Sequence, residues 1–353
     1  MKTNILLIII FSILVSSCTK SIDNKQNGSD STSSLPETDT SVIVHITGYA
    51  FDQNTLVTTS KYWRDTSTTI LTYGAKTVQA QAMCLYNNDV YIAGSTGDLV
   101  FVWKNGQPMN EIINDMTGAT GIFVTGNQIC ISGRGKNADG YDGYAKYSVN
   151  GLVTPLGAQH LSSSANSVFV SGNDIYVAWG ESTDDSHGFA RYSKNGVTTT
   201  LSDTLRTADA SSILVYNNDV YVAGDLSDPR SYNPYAVYWK NGVPVRLNND
   251  PSVNSVATQI AVSGNDIFVS GELIDTARHF AQAVYWKNDS LHILSDKSGF
   301  ATAQYVTVVN GYVYVAGIDH QKVVCWVNGK EKRLDNSPAL VEEEVTGLVV
   351  QKK

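Results

Sequence analysis

From Ser41 onward the chain is written in short runs of alternating apolar and polar residues, broken by turn formers, and no helical period of 3.6 is sustained. One run ends in glycine and keeps returning: Val44-His45-Ile46-Thr47-Gly48, Val90-Tyr91-Ile92-Ala93-Gly94, Ile129-Cys130-Ile131-Ser132-Gly133, Val220 to Gly224, Ile267 to Gly271 and Val313 to Gly317. A seventh copy, Ile175-Tyr176-Val177-Ala178-Trp179, carries Trp in place of the glycine. The copies recur at about 39 to 47 residues, the length of a four-stranded propeller blade.

Each glycine run sits in a fixed context. Turn clusters such as Asn87-Asn88-Asp89, Gly172-Asn173-Asp174, Asn217-Asn218-Asp219 and Gly264-Asn265-Asp266 precede it, with a further apolar run before them. An aromatic-bearing run follows it, cleanest as Val237-Tyr238-Trp239-Lys240-Asn241-Gly242 and Val284-Tyr285-Trp286-Lys287-Asn288-Asp289, and matched by Trp63, Trp103, Tyr147, Tyr192 and Trp326 elsewhere. Asn-Gly between two alternating runs marks a hairpin, because a type I′ turn needs positive φ at both central residues. Asn105-Gly106, Asn150-Gly151, Asn195-Gly196 and Asn328-Gly329 repeat the signal. Each repeat therefore predicts four strands and two tight turns. The first repeat lacks its innermost strand, and Val345-Thr346-Gly347-Leu348-Val349-Val350 resembles Thr120-Gly121-Ile122-Phe123-Val124 of the third. The expected fold is all-β: a seven-bladed β-propeller, its ring closed by the C-terminal strand completing the first blade, which protects the edges an open array would expose. A β-solenoid has shorter periods and needs no displaced strand.

The composition before Ser41 is different. Lys2, the apolar stretch Ile5 to Val15 and the small residues Ser16 and Ser17 form an export leader, too short for a comfortable membrane span. Val15-Ser16-Ser17-Cys18 resembles a bacterial lipobox, which implies cleavage before Cys18 and lipid on that residue. Thr19 after it is, by the same resemblance, compatible with the outer membrane. The expected organisation is residues 1–17 signal peptide, 18–40 lipidated Cys and flexible tether rich in Ser, Thr, Asp and Asn, and 41–353 propeller. Cys84, Cys130 and Cys325 are an odd number inside predicted strands, so at least one is unpaired, and all read as small buried apolar groups.

The repeats have neither the Gly-His and Trp-Asp pair of WD repeats nor the Gly-Gly doublet of kelch repeats. Taken with the lipobox and the polar tether, the Val-Tyr-Val-Ala-Gly and Tyr-Trp-Lys-Asn-Gly repeats resemble the lipid-anchored seven-bladed propeller lipoproteins of the Bacteroidota type. That resemblance implies location and architecture and no particular activity.

Candidate chemistry then depends on loops. In a propeller, the turns joining first to second and third to fourth strands share one face, and here they are tight. The second-to-third loops and the connections between blades share the other face and vary, as binding loops on a rigid scaffold do. From glycine to aromatic position, blades two and seven span 9 residues and the other five span 13 to 15, so blades three to six would raise an arc beside the channel mouth. The ligand-binding candidates on that arc are Tyr141, Tyr144, Glu181, His187, Asp225, Arg230, Tyr232, Tyr235, Glu272 and His279, whose rings and polar groups suit a glycan or protein ligand. Glu181, Asp225 and Glu272 come from adjacent blades and would together suit a divalent cation or a positively charged group. The alternative for the same loops is that they are solvated residues without a common target.

Asn137 to Gly143 faintly resembles a calcium loop but lacks the distal Glu, and no Cys/His metal spacing, phosphate loop or nucleophile elbow is present. The net charge of −8, spread along the chain, argues against nucleic acid. The expectation is a monomeric binding module on the membrane. An enzyme, a lyase or hydrolase using carboxylates and His187 near the channel mouth, and a structural docking subunit of an envelope complex are the other two readings.

Overall fold

The computed structural model describes residues 39–353, apart from 75, 141, 159–160, 185–186, 204–205, 228–232, 251, 276–279 and 335–340. Its strands form seven four-stranded antiparallel sheets. The innermost strand of each sheet packs on the innermost strand of the next, right round the ring. This is a seven-bladed β-propeller. The innermost strands of blades two to seven are Gln79–Tyr86, Gly118–Thr125, Ser162–Ser171, Ala208–Tyr216, Asn254–Ser263 and Ala301–Val309. Blade one takes its innermost strand from the far end of the chain. Val341–Lys352 pairs with Val42–Asp52 from Val42↔Lys352 to Asp52↔Val341, so the ring is closed as the repeats predict.

The turn chemistry explains why the repeat folds. In every blade one residue of the turn between third and fourth strands points its side chain back to the second strand. Asp65, Asn105, Asn150, Asn195, Asn241, Asn288 and Asn328 each accept a hydrogen bond from a strand N–H at 2.8–3.0 Å. Each returns its own N–H to the carbonyl of that same strand residue. All seven stand at φ between +48° and +52°, which Asn and Asp tolerate better than other side chains. In four blades an ion pair at 2.8 Å caps the clamp: Asp89–Lys104, Asp174–Lys194, Asp219–Lys240 and Asp266–Lys287.

The recurring glycine has a different cause. A Cβ on Gly224 would lie 2.0 Å from the carbonyl oxygen of Asp209, and one on Gly271 would lie 2.0 Å from that of Val256. Opposite each glycine the innermost strand carries a one-residue bulge, which drives its backbone into the space a side chain would fill.

The aromatic positions follow the sequence reading in five blades. Trp63, Trp103, Trp239, Trp286 and Trp326 are fully buried between blades. In blades three and four the register corrects it. Ile131 pairs with Ser148 and Val177 with Ser193, so serines occupy the Trp position, and Tyr147 and Tyr192 stand one residue earlier, at the position of Tyr238. Another side chain fills the space each time. Met116 reaches to 2.8 Å of where a Gly133 Cβ would be, and Trp179 takes the glycine position itself. Volume is conserved although the residue that supplies it changes. Cys84, Cys130 and Cys325 are buried free thiols, and burial pushes Cys130 up to about 11 and Cys325 to about 12. His45 is packed into blade one, between the Tyr62 hydroxyl at 2.6 Å and Gln351 at 2.9 Å.

Candidate functional site

The bulge that forces the glycine also places one extra polar residue beside the channel in every blade: Thr346, Gln81, Thr120, Asn166, Ser211, Thr258 and Gln304 for blades one to seven. Several of these link their blade to the next. Gln81 accepts from the Ala119 N–H at 3.0 Å, and Thr120 donates to the Ala165 carbonyl. Asn166 donates to the Ala210 carbonyl at 2.9 Å, Thr258 to that of Ala303 at 2.7 Å, and Gln304 to Glu344 at 3.1 Å. Ser211 breaks the pattern. Its side chain is the shortest of the seven, and its buried Oγ has no hydrogen-bond partner.

Carboxylates gather where the girdle is interrupted. Asp209 and Asp225 are register partners in blade five, and Glu344 and Tyr49 are partners in blade one. Asp209 accepts from Asn166 Nδ2 at 3.1 Å and from the Ala210 N–H at 2.9 Å. Gly180 makes room for it, since a Cβ there would sit 2.7 Å from Asp209 Oδ1. Burial pushes Asp225 up to about 8, with the charges of Asp209 and Glu272 adding to the effect. Burial likewise pushes Glu272 up to about 7, with Glu344 adding. Asp209 and Glu344 are raised for the same first reason, and Tyr49 rises to about 12 through burial and the neighbouring Glu344. Among the described residues none of the four carboxylates has a cation within salt-bridge distance, and Glu272 Oε2 is buried without a partner. The cluster is therefore rich in acceptors and short of donors. Among the described residues no group of three or more His, Cys, Asp or Glu side chains is arranged to hold a metal ion.

The other sequence candidates scatter. Glu181 does not join Asp225 and Glu272: it is buried against Arg191 Nη2 at 2.9 Å and accepts from the Ala158 N–H at 2.7 Å. Tyr144 and Tyr235 are packed rather than presented as ring platforms. The Tyr144 hydroxyl donates to the Gly157 carbonyl, and the Tyr235 hydroxyl accepts from Arg206 at 2.9 Å with Arg246 4.0 Å above the ring. His187 opens the third strand of blade four, and its side chain lies outside the described residues, as do Cys18, Tyr141, Arg230, Tyr232 and His279. Sequence reasoning missed Asp209 and Glu344. The available signal was the small residue that follows each of them, Ala210 and Val345, aligned with Ala80, Ala119, Ala165, Ala257 and Ala303 just before every bulge.

No protein-family model matches the chain, and no curated protein is similar to it in sequence. Among solved structures it is similar to a puromycin-hydrolyzing peptidase of Mycobacterium tuberculosis, with a TM-score of 0.52 and 12% identity over 79% of this chain and 49% of the other. It is also similar to the Pyrococcus horikoshii acylaminoacyl peptidase, with a TM-score of 0.51 and 10% identity over 86% of this chain and 52% of the other. The chain thus spans about half the length of these structures. At such identities the likeness shows the fold alone.

Proposed function

We propose that this chain is a lipid-anchored protein of the cell envelope, held at Cys18 on the outer membrane, whose propeller binds a glycan or protein ligand through the long-loop face. One observation carries the reading: the half-buried carboxylates Asp209, Asp225, Glu272 and Glu344 line the channel without a cationic partner among the described residues. Asp225 and Glu272 lie in the half of their strands that leads toward the long loops. A ligand that brings ammonium, guanidinium or several N–H donors supplies what the cluster lacks. That chemistry belongs to a basic peptide segment or an amino sugar.

The anchoring geometry supports the same reading. Asn310, in a tight turn of blade seven, donates to Asp39 at 3.0 Å, and Lys353 Nζ donates to the Thr40 carbonyl at 2.8 Å. Asp39 and Thr40 therefore lie on the tight-turn face, an arrangement in keeping with an anchor that leaves the long-loop face free for ligand. The test is a thermal-shift titration of the protein with amino sugars, peptidoglycan fragments and basic peptides. A ligand specific to the folded state raises Tm once its concentration exceeds Kd. The expected outcome is a saturable shift that disappears in Asp225→Asn/Glu272→Gln, a variant that stays folded because its amides match the buried carboxyls in shape. A shift that survives this double substitution moves the site elsewhere on the face.

A further inference from the structure

A second constellation stands at the edge of the same face, in residues no repeat contains. The connection from blade six to blade seven carries Ser298, and the short hairpin between Tyr312–Asp319 and Lys322–Val327 carries Asp319 and His320. Ser298 Oγ lies 3.1 Å from His320 Nε2, and His320 Nδ1 lies 2.7 Å from Asp319 Oδ1. Asp319 is buried, while Ser298 and His320 are exposed. We propose that Ser298, His320 and Asp319 form a nucleophilic triad that cleaves ester groups presented to this rim.

Three features beyond the distances bear on this. His320 stands at φ +50° and Gln321 at +64°, left-handed angles that the tight turns of the ring give mostly to Asn and Gly. Gly299 admits the ring, since a Cβ there would lie 2.6 Å from His320 Nε2. Asp296 accepts from the Ser298 N–H at 2.8 Å, and the Ser298 hydroxyl lies within reach of both Asp296 and His320 Nε2, so its one proton turns from the carboxylate to the ring when the serine is activated.

The roles follow from hydrogen-bonding capacity. Nδ1–H donates to the buried Asp319 carboxylate, which leaves the Nε2 lone pair facing the Ser298 hydroxyl. Asp319 is the positioning residue, and it also steadies the imidazolium formed in the reaction. Ser298 Oγ bonds to the acyl carbon as its proton passes to His320 Nε2. The carbon–alkoxy bond breaks, and the departing alkoxide takes that proton and leaves as an alcohol. Water then gives a proton to His320 and its hydroxyl to the acyl carbon. The acid leaves, the proton returns to Ser298 Oγ, and the triad is restored. Because Ser298 and His320 are exposed, the acyl group they reach is one that protrudes from a larger molecule.

The test uses the full chain and a fluorophosphonate reporter, which forms an Oγ–phosphorus bond with loss of fluoride. Peptide mapping is expected to place the adduct on Ser298. Ser298→Ala should abolish it. His320→Asn, which suits the turn's positive φ, should slow labelling and p-nitrophenyl acetate hydrolysis roughly 100-fold with Tm unchanged. The carboxylates of Asp296, Asp319 and Glu331 and the guanidinium of Arg333 are the charged groups described around His320. Asp319→Asn leaves the ring without the carboxylate that orients it, so p-nitrophenyl acetate hydrolysis should lose kcat with KM unchanged, a split that loss of packing alone does not produce. Absence of an adduct at Ser298, or equal labelling rates in the wild type and His320→Asn, overturns the proposal.

Discussion

The two faces of the ring are built on opposite rules. On the tight-turn face, seven blades repeat one clamp, and in four of them Asp, Lys and Asn satisfy one another. Toward the long loops the repeat lapses. Asp209, Asp225, Glu272 and Glu344 have no counterparts at the matching places of blades two, three, four and seven, and burial raises the pKa of all four. What recurs seven times maintains the ring, and what occurs in only some blades is free to have been selected for a ligand. A donor-poor cluster lowers stability, and it stands where the repeat lapses, as a ligand site proposed there requires.

That contrast can be broken from either side. The largest loss is expected on the repeated side, from Gly271→Ala. Its Cβ would meet the Val256 carbonyl at 2.0 Å and the Trp286 ring at 2.8 Å, so chemical denaturation should report a loss of about 3 kcal/mol. The channel cluster should respond to pH in the direction opposite to most carboxylates. Asp225 at about 8 and Glu272 at about 7 keep their protons when folded, whereas both release them near about 4 when unfolded. The native state then binds more protons across that interval, so stability falls as pH rises from about 4 to 8. Asp225→Asn/Glu272→Gln should flatten this slope in a series of melting curves and raise Tm at the alkaline end. Asn241→Ala removes the acceptor for the Val220 N–H and places Ala at φ +51°, and denaturation should show a loss of about 2 kcal/mol. Asp219→Ala breaks an exposed pair with Lys240 and an exposed hydrogen bond from Asn241 Nδ2, and its effect on Tm should be the smallest and should shrink at high salt.

Blade number and turn positions were legible because each is stated seven times, so errors in one copy are corrected by the others, and closure was legible because the one missing strand reappears at 345–350. Register was not. Tyr147 and Tyr192 matched the Trp positions by residue type, yet a slip of one residue places Ser148 and Ser193 there, and only the pairing reveals Met116 and Trp179 as the compensating bulk. Asp225 and Glu272 were found because they follow the glycine motif directly. Asp209 and Glu344 were not, because their neighbours come from another strand and, for Glu344, from the far end of the chain. The grouping of Glu181 with the others failed through a local partner, Arg191, that no spacing announces. His320 had a readable signal in retrospect, a His-Gln pair in the shortest kind of second-to-third-strand connection, where a tight turn is forced.

Ring closure has a consequence for biogenesis. The hydrogen bond of His45 with Gln351 spans 306 residues, and the second strand of blade one waits for Val341–Lys352 before its sheet is whole. Blades two to seven have all their strands contiguous in sequence, so they can form as the chain emerges. Blade one exposes an unpaired inner edge until the last strand arrives, and the loop that must then close is nearly the entire propeller. This makes assembly all or nothing. A fragment cut short before Val341 presents an open strand edge, the feature that chaperones and proteases recognise.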